Sequence, residues 1–317
     1  MMKNKPIIYG TTPTLFGGEI VKDKQDFQGK DVVVLGVPWE GTVTWGSYTG
    51  CELAPKAIRQ ASARYTGYLP ELDDIDVFSH LSIGDYGDVD VVPADTVETY
   101  RRIENKAKDI FSAGVFPVFI GGDHGITYPL VKALSESIDG KVGVIHFDAH
   151  FDNREIYGSD PLARCCPLAR ISELPGVKQD SIVHFGIRGP RNAPQDGAYA
   201  KKIGAKVITI NDIRRGNFEQ LVEEAYARAS SGTKAVYVTV CSDVLDIAFN
   251  PGGPLDANGL TSYELLTALN ILAAKGINAF DVVEIYPPFD PNGTSSHMAN
   301  WMILYVLAGL AKKKLSK

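Results

Sequence analysis

Eight short apolar runs, set between stretches of helical periodicity, constrain the fold of this chain more than any other feature. They occupy residues 32–37, 81–84, 115–120, 142–146, 182–187, 207–210, 235–240 and 279–285. The intervening segments 54–63, 94–113, 126–137, 218–230, 262–275 and 295–313 read as helices. Pro55 near the start of the first, and Thr261 or Ser262 ahead of Glu264, are helix-start signals. Strands that alternate with helices pair in parallel, because a parallel connection has to cross over the sheet. The pattern predicts an α/β chain: a three-layer α/β/α sandwich with helices on both faces of a mostly parallel sheet of about eight strands.

At 317 residues the chain has length for one large domain or two ordinary ones, and no linker, internal repeat or low-complexity tract divides it. We read 1–317 as a single domain. The formal net charge of −6 disfavours nucleic acid or an anionic membrane surface as partner, since both call for a basic face. The start, Met1-Met2-Lys3-Asn4-Lys5-Pro6, leads into no apolar signal region, and no apolar stretch of about 18 residues occurs anywhere. A soluble, cytoplasmic protein is expected. Cys51, Cys165, Cys166 and Cys241 are too few for a disulfide framework and are read as reduced.

Two blocks directly after strand-like runs carry five metal-ligand candidates: Asp123 and His124 in Gly121-Gly122-Asp123-His124, and Asp148, His150 and Asp152 in Asp148-Ala149-His150-Phe151-Asp152. Ligands of open α/β sheets bind beyond the carboxyl ends of the strands, which is where both blocks fall. Asp148, His150 and Asp152 alternate, and an extended chain points alternate side chains to one side. Imidazole with carboxylate oxygen suits Mn, Fe, Ni or Zn better than Ca. A single Asp or His at a strand end is ordinarily a cap; five in two such blocks favour a site for one or two catalytic divalent ions. A third block, Cys241-Ser242-Asp243 leading to Asp246, runs into a Pro- and Gly-rich segment expected to form an ordered loop over the same strand ends. Glu284, after the last run, lands near that rim.

Together these blocks resemble the ureohydrolase family of arginases, agmatinases and formimidoylglutamases. The likeness runs from about Val32 to Ala311, and the 46–59 and 284–290 segments look most like the agmatinase branch. The resemblance implies an arginase-like fold and a metal-dependent amidinohydrolase cleaving a linear guanidino compound, agmatine or a guanidino acid, to urea and an amine. Carried over residue by residue, it makes His124, Asp148 and Asp152 ligands of one manganese and Asp148, His150 and Asp243 ligands of a second. It further implies that Glu284 binds the guanidinium, that Asp152 or its neighbour orients the attacking water, and that the chain forms trimers or hexamers. Formimidoylglutamase-like hydrolysis of a formimino substrate is the alternative within the family.

Two departures bear on chemistry. Cys241 stands where the family carries an aspartate touching both metals. A thiolate there tilts preference from Mn toward Zn, Fe, Co or Ni, whereas a buried core thiol would leave the second ion one ligand short; both readings stay open. Arg164 falls where the family has a histidine. Arginine cannot act as an ordinary acid or base, but it can clamp a substrate carboxylate, which favours a guanidino acid over agmatine. These departures also motivate a reading as a non-catalytic binding or partner subunit of the same fold. Cys51, Cys165 and Cys166 are read as packing. His146 is read as a hydrogen-bonded core histidine, and His80, His184 and His297 carry no signature. A metallophosphoesterase is excluded, because its Asp-x-His comes early and is followed by Gly-Asn-His.

Overall fold

The computed structural model of the protein describes residues 12–42 and 49–316. The readings placed on Met1–Pro6 and on Gly46–Tyr48 lie outside the described residues. The strands are β1 (Glu19–Ile20), β2 (Val32–Val37), β3 (Tyr68–Leu69), β4 (Ile75–Asp76), β5 (Ile83–Asp88), β6 (Phe116–Gly121), β7 (Val142–Phe147), β8 (Val177–Ile187), β9 (Lys206–Thr209), β10 (Ala235–Cys241) and β11 (Ala279–Val283). The helices are α1 (Ala54–Ser62), α2 (Val77–His80), α3 (Thr96–Ser112), α4 (Thr127–Ser137), α5 (Pro167–Ser172), α6 (Pro194–Lys202), α7 (Ile210–Arg215), α8 (Phe218–Ser230), α9 (Ser262–Lys275) and α10 (Thr294–Leu315). Nine strands form one sheet in the order β1-β5-β2-β6-β11-β10-β7-β8-β9, every neighbouring pair parallel. The β3 and β4 pair is antiparallel and separate.

The strands read as unbroken apolar runs because both faces of the sheet are covered. Val32, Val34, Val118, Ile120, Ile145, Phe147, Val238 and Val240 join a core with α1, α8, α9 and α10. Their neighbours Val33, Leu35, Val37, Phe119, Val142, Val144 and Tyr237 join a second core under α3, α4 and α5. Period two thus divides each central strand between two cores, and the three-layer sandwich follows.

All eight expected strands are present. The ninth, β1, spans two residues and is too short to show any periodicity. The expected run at 81–84 is found as Ile83–Asp88, and the run expected to reach residue 285 stops at Val283, because Glu284 adopts a left-handed φ of 64°. Four helices escaped the sequence reading: α2, α5 and α7 span four, six and six residues, too short for a periodic stripe, and α6, nine residues long, buries only Asp196 and Ala200 and so shows no apolar stripe. Among the described residues no helix is long and apolar enough to cross a membrane.

Gly122 shows why the Gly-Gly step after β6 matters. Its N–H donates to Val37 O at 3.0 Å, Asp123 N donates to Trp39 O at 3.0 Å, and Gly122 O accepts from Glu284 N at 2.8 Å. The loop is therefore wedged between the ends of β2 and β11, and a Cβ on Gly122 would sit 1.8 Å from Trp39 O. Gly122→Ala should lower stability by about 1–3 kcal/mol through overpacking, read as a fall in melting temperature. An unchanged melting curve would show that the Trp39 backbone yields freely.

Candidate metal centre

The carboxyl ends of four adjacent central strands, β6, β11, β10 and β7, open on one rim. They deliver His124, Glu284, Cys241 with Asp243, and Asp148 with His150 and Asp152. The 148–152 segment is not the extended strand that its alternation suggested: β7 ends at Phe147, and Asp152 has a φ of 45°. Neighbouring loops shape it instead. Arg188 N donates to Ala149 O at 2.9 Å, Leu168 N donates to Asp152 O at 2.9 Å, and Phe151 N donates to Asn192 Oδ1 at 3.2 Å.

His124 joins Asp148 and Asp152. Its Nδ1 lies 3.0 Å from Asp148 Oδ2 and 3.0 Å from Asp152 Oδ2, yet it is buried and makes no hydrogen bond. The other side of the ring explains this. Thr239 Oγ1 gives its proton to Asp281 Oδ1 at 2.6 Å, so at 3.0 Å from His124 Nε2 it accepts. Asp281 takes further donors from Thr127 and Tyr237. The network thus assigns the proton to Nε2 and turns the Nδ1 lone pair toward two carboxylates. Burial opposes protonation of His124, but Asp148 and Asp152 hold its pKa well above the ordinary range. A positive group belongs at Nδ1, and a divalent ion fits the proton's place. His146, read from sequence as a hydrogen-bonded core histidine, is one: its Nε2 is 3.0 Å from Asp148 Oδ2 and its Nδ1 is 3.0 Å from His184 Nδ1. His124, His146, Asp148 and Asp152 nevertheless converge closely enough to hold an ion.

Asp148, Cys241 and Asp243 form a second group with ligand atoms within 4.8 Å of one another. His150 Nδ1 adjoins it, 3.1 Å from Asp243 Oδ2 and 3.3 Å from Asp148 Oδ1. Asp243 Oδ1 accepts from Ala149 N at 3.1 Å. Burial and the surrounding carboxylates push the Cys241 thiol well above its ordinary pKa, so a thiolate there requires a cation. Asp148 is held well below the carboxylate range: burial opposes this, and His146, His124 and His150 outweigh it.

Asp123, counted among the ligand candidates, is not one. Its Oδ1 caps the turn at His124 by accepting Gly125 N at 2.9 Å, and its Oδ2 accepts Gly41 N at 2.6 Å. Arg164 also departs from expectation. Its guanidinium is 3% exposed and donates to Tyr286 OH at 2.6 Å, Glu40 Oε1 at 2.9 Å and Thr42 O at 3.2 Å, with Glu284 Oε2 at 3.7 Å. These commitments to the protein's own oxygens correct its reading as a clamp for a substrate carboxylate. Glu284 accepts from His124 N at 2.8 Å and from Tyr286 OH. Burial pushes its pKa up to about 7 against the pull of Arg164.

These side chains wall a cavity of about 250 Å³ whose lining includes His150, Asp152, Cys241, Asp243, Glu284, Arg154 and Arg191. Cys165 lines it too, so packing alone does not describe that cysteine; Cys51 and Cys166 are buried as expected. Three residues escaped the sequence reading. Arg188 follows a recognised strand directly and was open to the same strand-end rule. Arg191 and Asp256 sit in loops with no pattern of their own.

A family model described as Arginase family matches residues 30–309. A guanidinopropionase of Pseudomonas aeruginosa is 33% identical over 89% of this chain and 87% of its own length. An agmatinase of Bacillus subtilis is 30% identical over 93% of this chain and 97% of its own. The solved structure of proclavaminate amidino hydrolase from Streptomyces clavuligerus superposes with a TM-score of 0.87 at 26% identity, covering 97% of this chain and 99% of that one.

Glu284 makes the stability of this rim depend on pH. Unfolded, the carboxyl ionises near its ordinary 4.5; folded, it keeps its proton to about 7. The folded state therefore binds the extra proton in between, and stability present below 4.5 is lost as pH rises to about 7. In chelator-stripped protein, Glu284→Gln should flatten that loss, measured by denaturant unfolding across the pH range. Identical slopes in the two proteins would show Glu284 ionised throughout.

Proposed function

The chain belongs to the arginase family, and from that membership we propose that it is a two-metal hydrolase of a linear amidine whose far end carries a carboxylate. The observation that carries the reading is His124 Nδ1, buried without a hydrogen bond and facing two carboxylates while Nε2 is committed to Thr239. His124, Asp148 and Asp152 would hold one ion; Asp148, His150, Asp243 and Cys241 would hold the other. Manganese is the ion we propose, with Zn, Fe, Co or Ni admitted by the Cys241 sulfur. When bound, the pair supplies a water that is nucleophilic at neutral pH.

The protein's own groups do the rest. Asp152, whose proton affinity is raised by burial and by Asp148, orients the water and takes up its proton. Glu284 faces the amidine head from the end of β11. Water adds to the central carbon, the bond to the substituted nitrogen breaks, and that nitrogen leaves as an amine after gaining a proton. A guanidine thereby yields urea, and a formimino compound yields formamide. Arg154 on the cavity wall, rather than Arg164, supplies positive charge for a substrate carboxylate, and the similarity to a guanidinopropionase agrees with such a tail. Four free cysteines fit a reducing, cytoplasmic setting, and a homotrimer or hexamer is proposed on the resemblance alone.

Metal analysis of protein purified without chelator, joined to a urea-release screen over guanidinopropionate, guanidinobutyrate, arginine, agmatine and guanidine, tests the reading. Two ions per chain and preference for a guanidino acid are expected; agmatine as the preferred substrate would discard the carboxylate tail. Asp148→Asn should abolish activity and metal retention together, and full occupancy in that variant would remove Asp148 from the centre. For Cys241, cobalt-loaded protein should show a sulfur-to-metal charge-transfer band in the near ultraviolet that disappears in Cys241→Ser. Cys241→Asp should shift preference toward manganese by returning a hard oxygen. A Cys241→Ser variant with unchanged spectrum and stoichiometry would leave Cys241 a core thiol.

A further inference from the structure

Asp256 lies outside the ligand-bearing blocks read from the sequence, in the loop after Pro254, yet it reaches the candidate centre. Its Oδ2 is 3.3 Å from His150 Nε2, on the far side of the ring from Asp243 and Asp148. His150, Asp243 and Asp256 form a cluster of their own, and the Asp256 side chain is 7% exposed. An imidazole lone pair facing a carboxylate oxygen at this distance is repulsive, so each ring nitrogen needs a positive group: a proton on one and a metal ion on the other. The surroundings decide which is which. The Nδ1 side offers Asp148, Asp243 and Cys241, a ligand set; the Nε2 side offers one carboxylate already paired with a cation. Arg191 Nε donates to Asp256 Oδ1 at 3.2 Å, and its Nη2 sits on Oδ2.

The backbone holds this arrangement in register. Arg188 Nη2 donates to Asp243 O at 2.8 Å and to Asp256 O at 2.9 Å, so one buried guanidinium sets the spacing of both carboxylates. Its Nε adds a bond to Ala257 O at 2.8 Å.

We propose that Asp256 is a positioning residue for the second metal ion: it accepts the His150 Nε2 proton, fixes Nδ1 as the ligand atom, and is itself held by Arg191. This rests on the two-ion reading. Carboxylate partners of ligating histidines orient the ring and raise its basicity, and losing one typically lowers metal affinity 10–100-fold. The support counts for more here, because Cys241 offers the second ion a soft sulfur rather than a hard oxygen.

Chelator-stripped wild-type, Asp256→Ala and Asp256→Asn proteins would be titrated with Mn2+ alone by calorimetry, with metal content measured after dialysis and melting curves taken for the stripped forms. The expected result is a 10–100-fold weaker second ion in both variants, with the first ion and the metal-free melting temperature little changed. Asparagine keeps the volume of the side chain and guards against a folding defect in the alanine variant. Unchanged affinities would overturn the proposal, as would equal weakening of both ions with a lower metal-free melting temperature, which is the mark of a loop contact. Wild-type protein that takes up no second ion would overturn the two-ion reading itself, before any variant is compared.

Discussion

A carboxylate shut away from water cannot stay charged in a protein interior without partners, and Asp148 is such a group. Three histidines surround it: His124, His146 and His150 all bring a ring nitrogen to within 3.3 Å of its oxygens. Each imidazole that turns one nitrogen toward Asp148 must satisfy the other, and the rest of the polar interior follows from that requirement. His124 passes it to Thr239 and so to Asp281, a buried carboxyl whose pKa burial raises. His146 passes it to His184, whose pKa burial lowers, so that ring stays neutral and donates from Nδ1. His150 turns its outer nitrogen to Asp256. The polar network is thus a set of outward branches from one buried charge, and it favours a cation at the point where the branches begin.

Holding those branches requires a backbone that regular strands do not provide. Asp152 and Glu284 both sit in the left-handed region, with φ of 45° and 64°, which for non-glycine residues costs of order 1–3 kcal/mol and persists only where the surroundings over-determine it. Here they do. Asp152 is fixed through Leu168 N on its carbonyl, and Glu284 through its own N–H on Gly122 O and through the His124 N–H on its carboxylate. Arg188, donating to the carbonyls of Asp243, Val244, Leu245, Asp256 and Ala257, does the same for the loop beyond β10. A guanidinium placed on carbonyls supplies several donors from one rigid plane, which suits a loop with no ladder to pair with.

Arg164 gives the rim a charge balance of its own. It lies among Glu40, Glu284 and Asp123, and these acids hold its guanidinium charged despite burial. Arg154 and Arg191 share the cavity wall with it and are more exposed. Positive charge is therefore divided between an inner arginine that stabilises the acids behind the cavity and more exposed arginines set beside Asp196 and Asp256.

The layer order was legible because both faces of each central strand are buried, so the runs 32–37, 142–146 and 235–240 are dominated by apolar residues rather than alternating with polar ones, and capping signals such as Thr261 with Glu264 mark helix starts that the fold keeps. The strand-end rule located His124, Asp148, His150, Asp152, Asp243 and Glu284, since a parallel sheet brings every carboxyl end to one rim. Short elements such as α5 and α7 carry too few residues for a period to show. The use made of each side chain was beyond the sequence: Asp123 became a cap, Arg164 an internal counter-ion, and Asp256 entered from a loop with no motif. Periodicity and strand order are local properties of the chain and can be read along it. Which nitrogen of a histidine holds the proton, and which acid an arginine neutralises, depends on atoms 38 to 124 residues apart in pairs such as His146 with His184 and Arg164 with Glu40, and only the folded chain brings those within hydrogen-bonding distance.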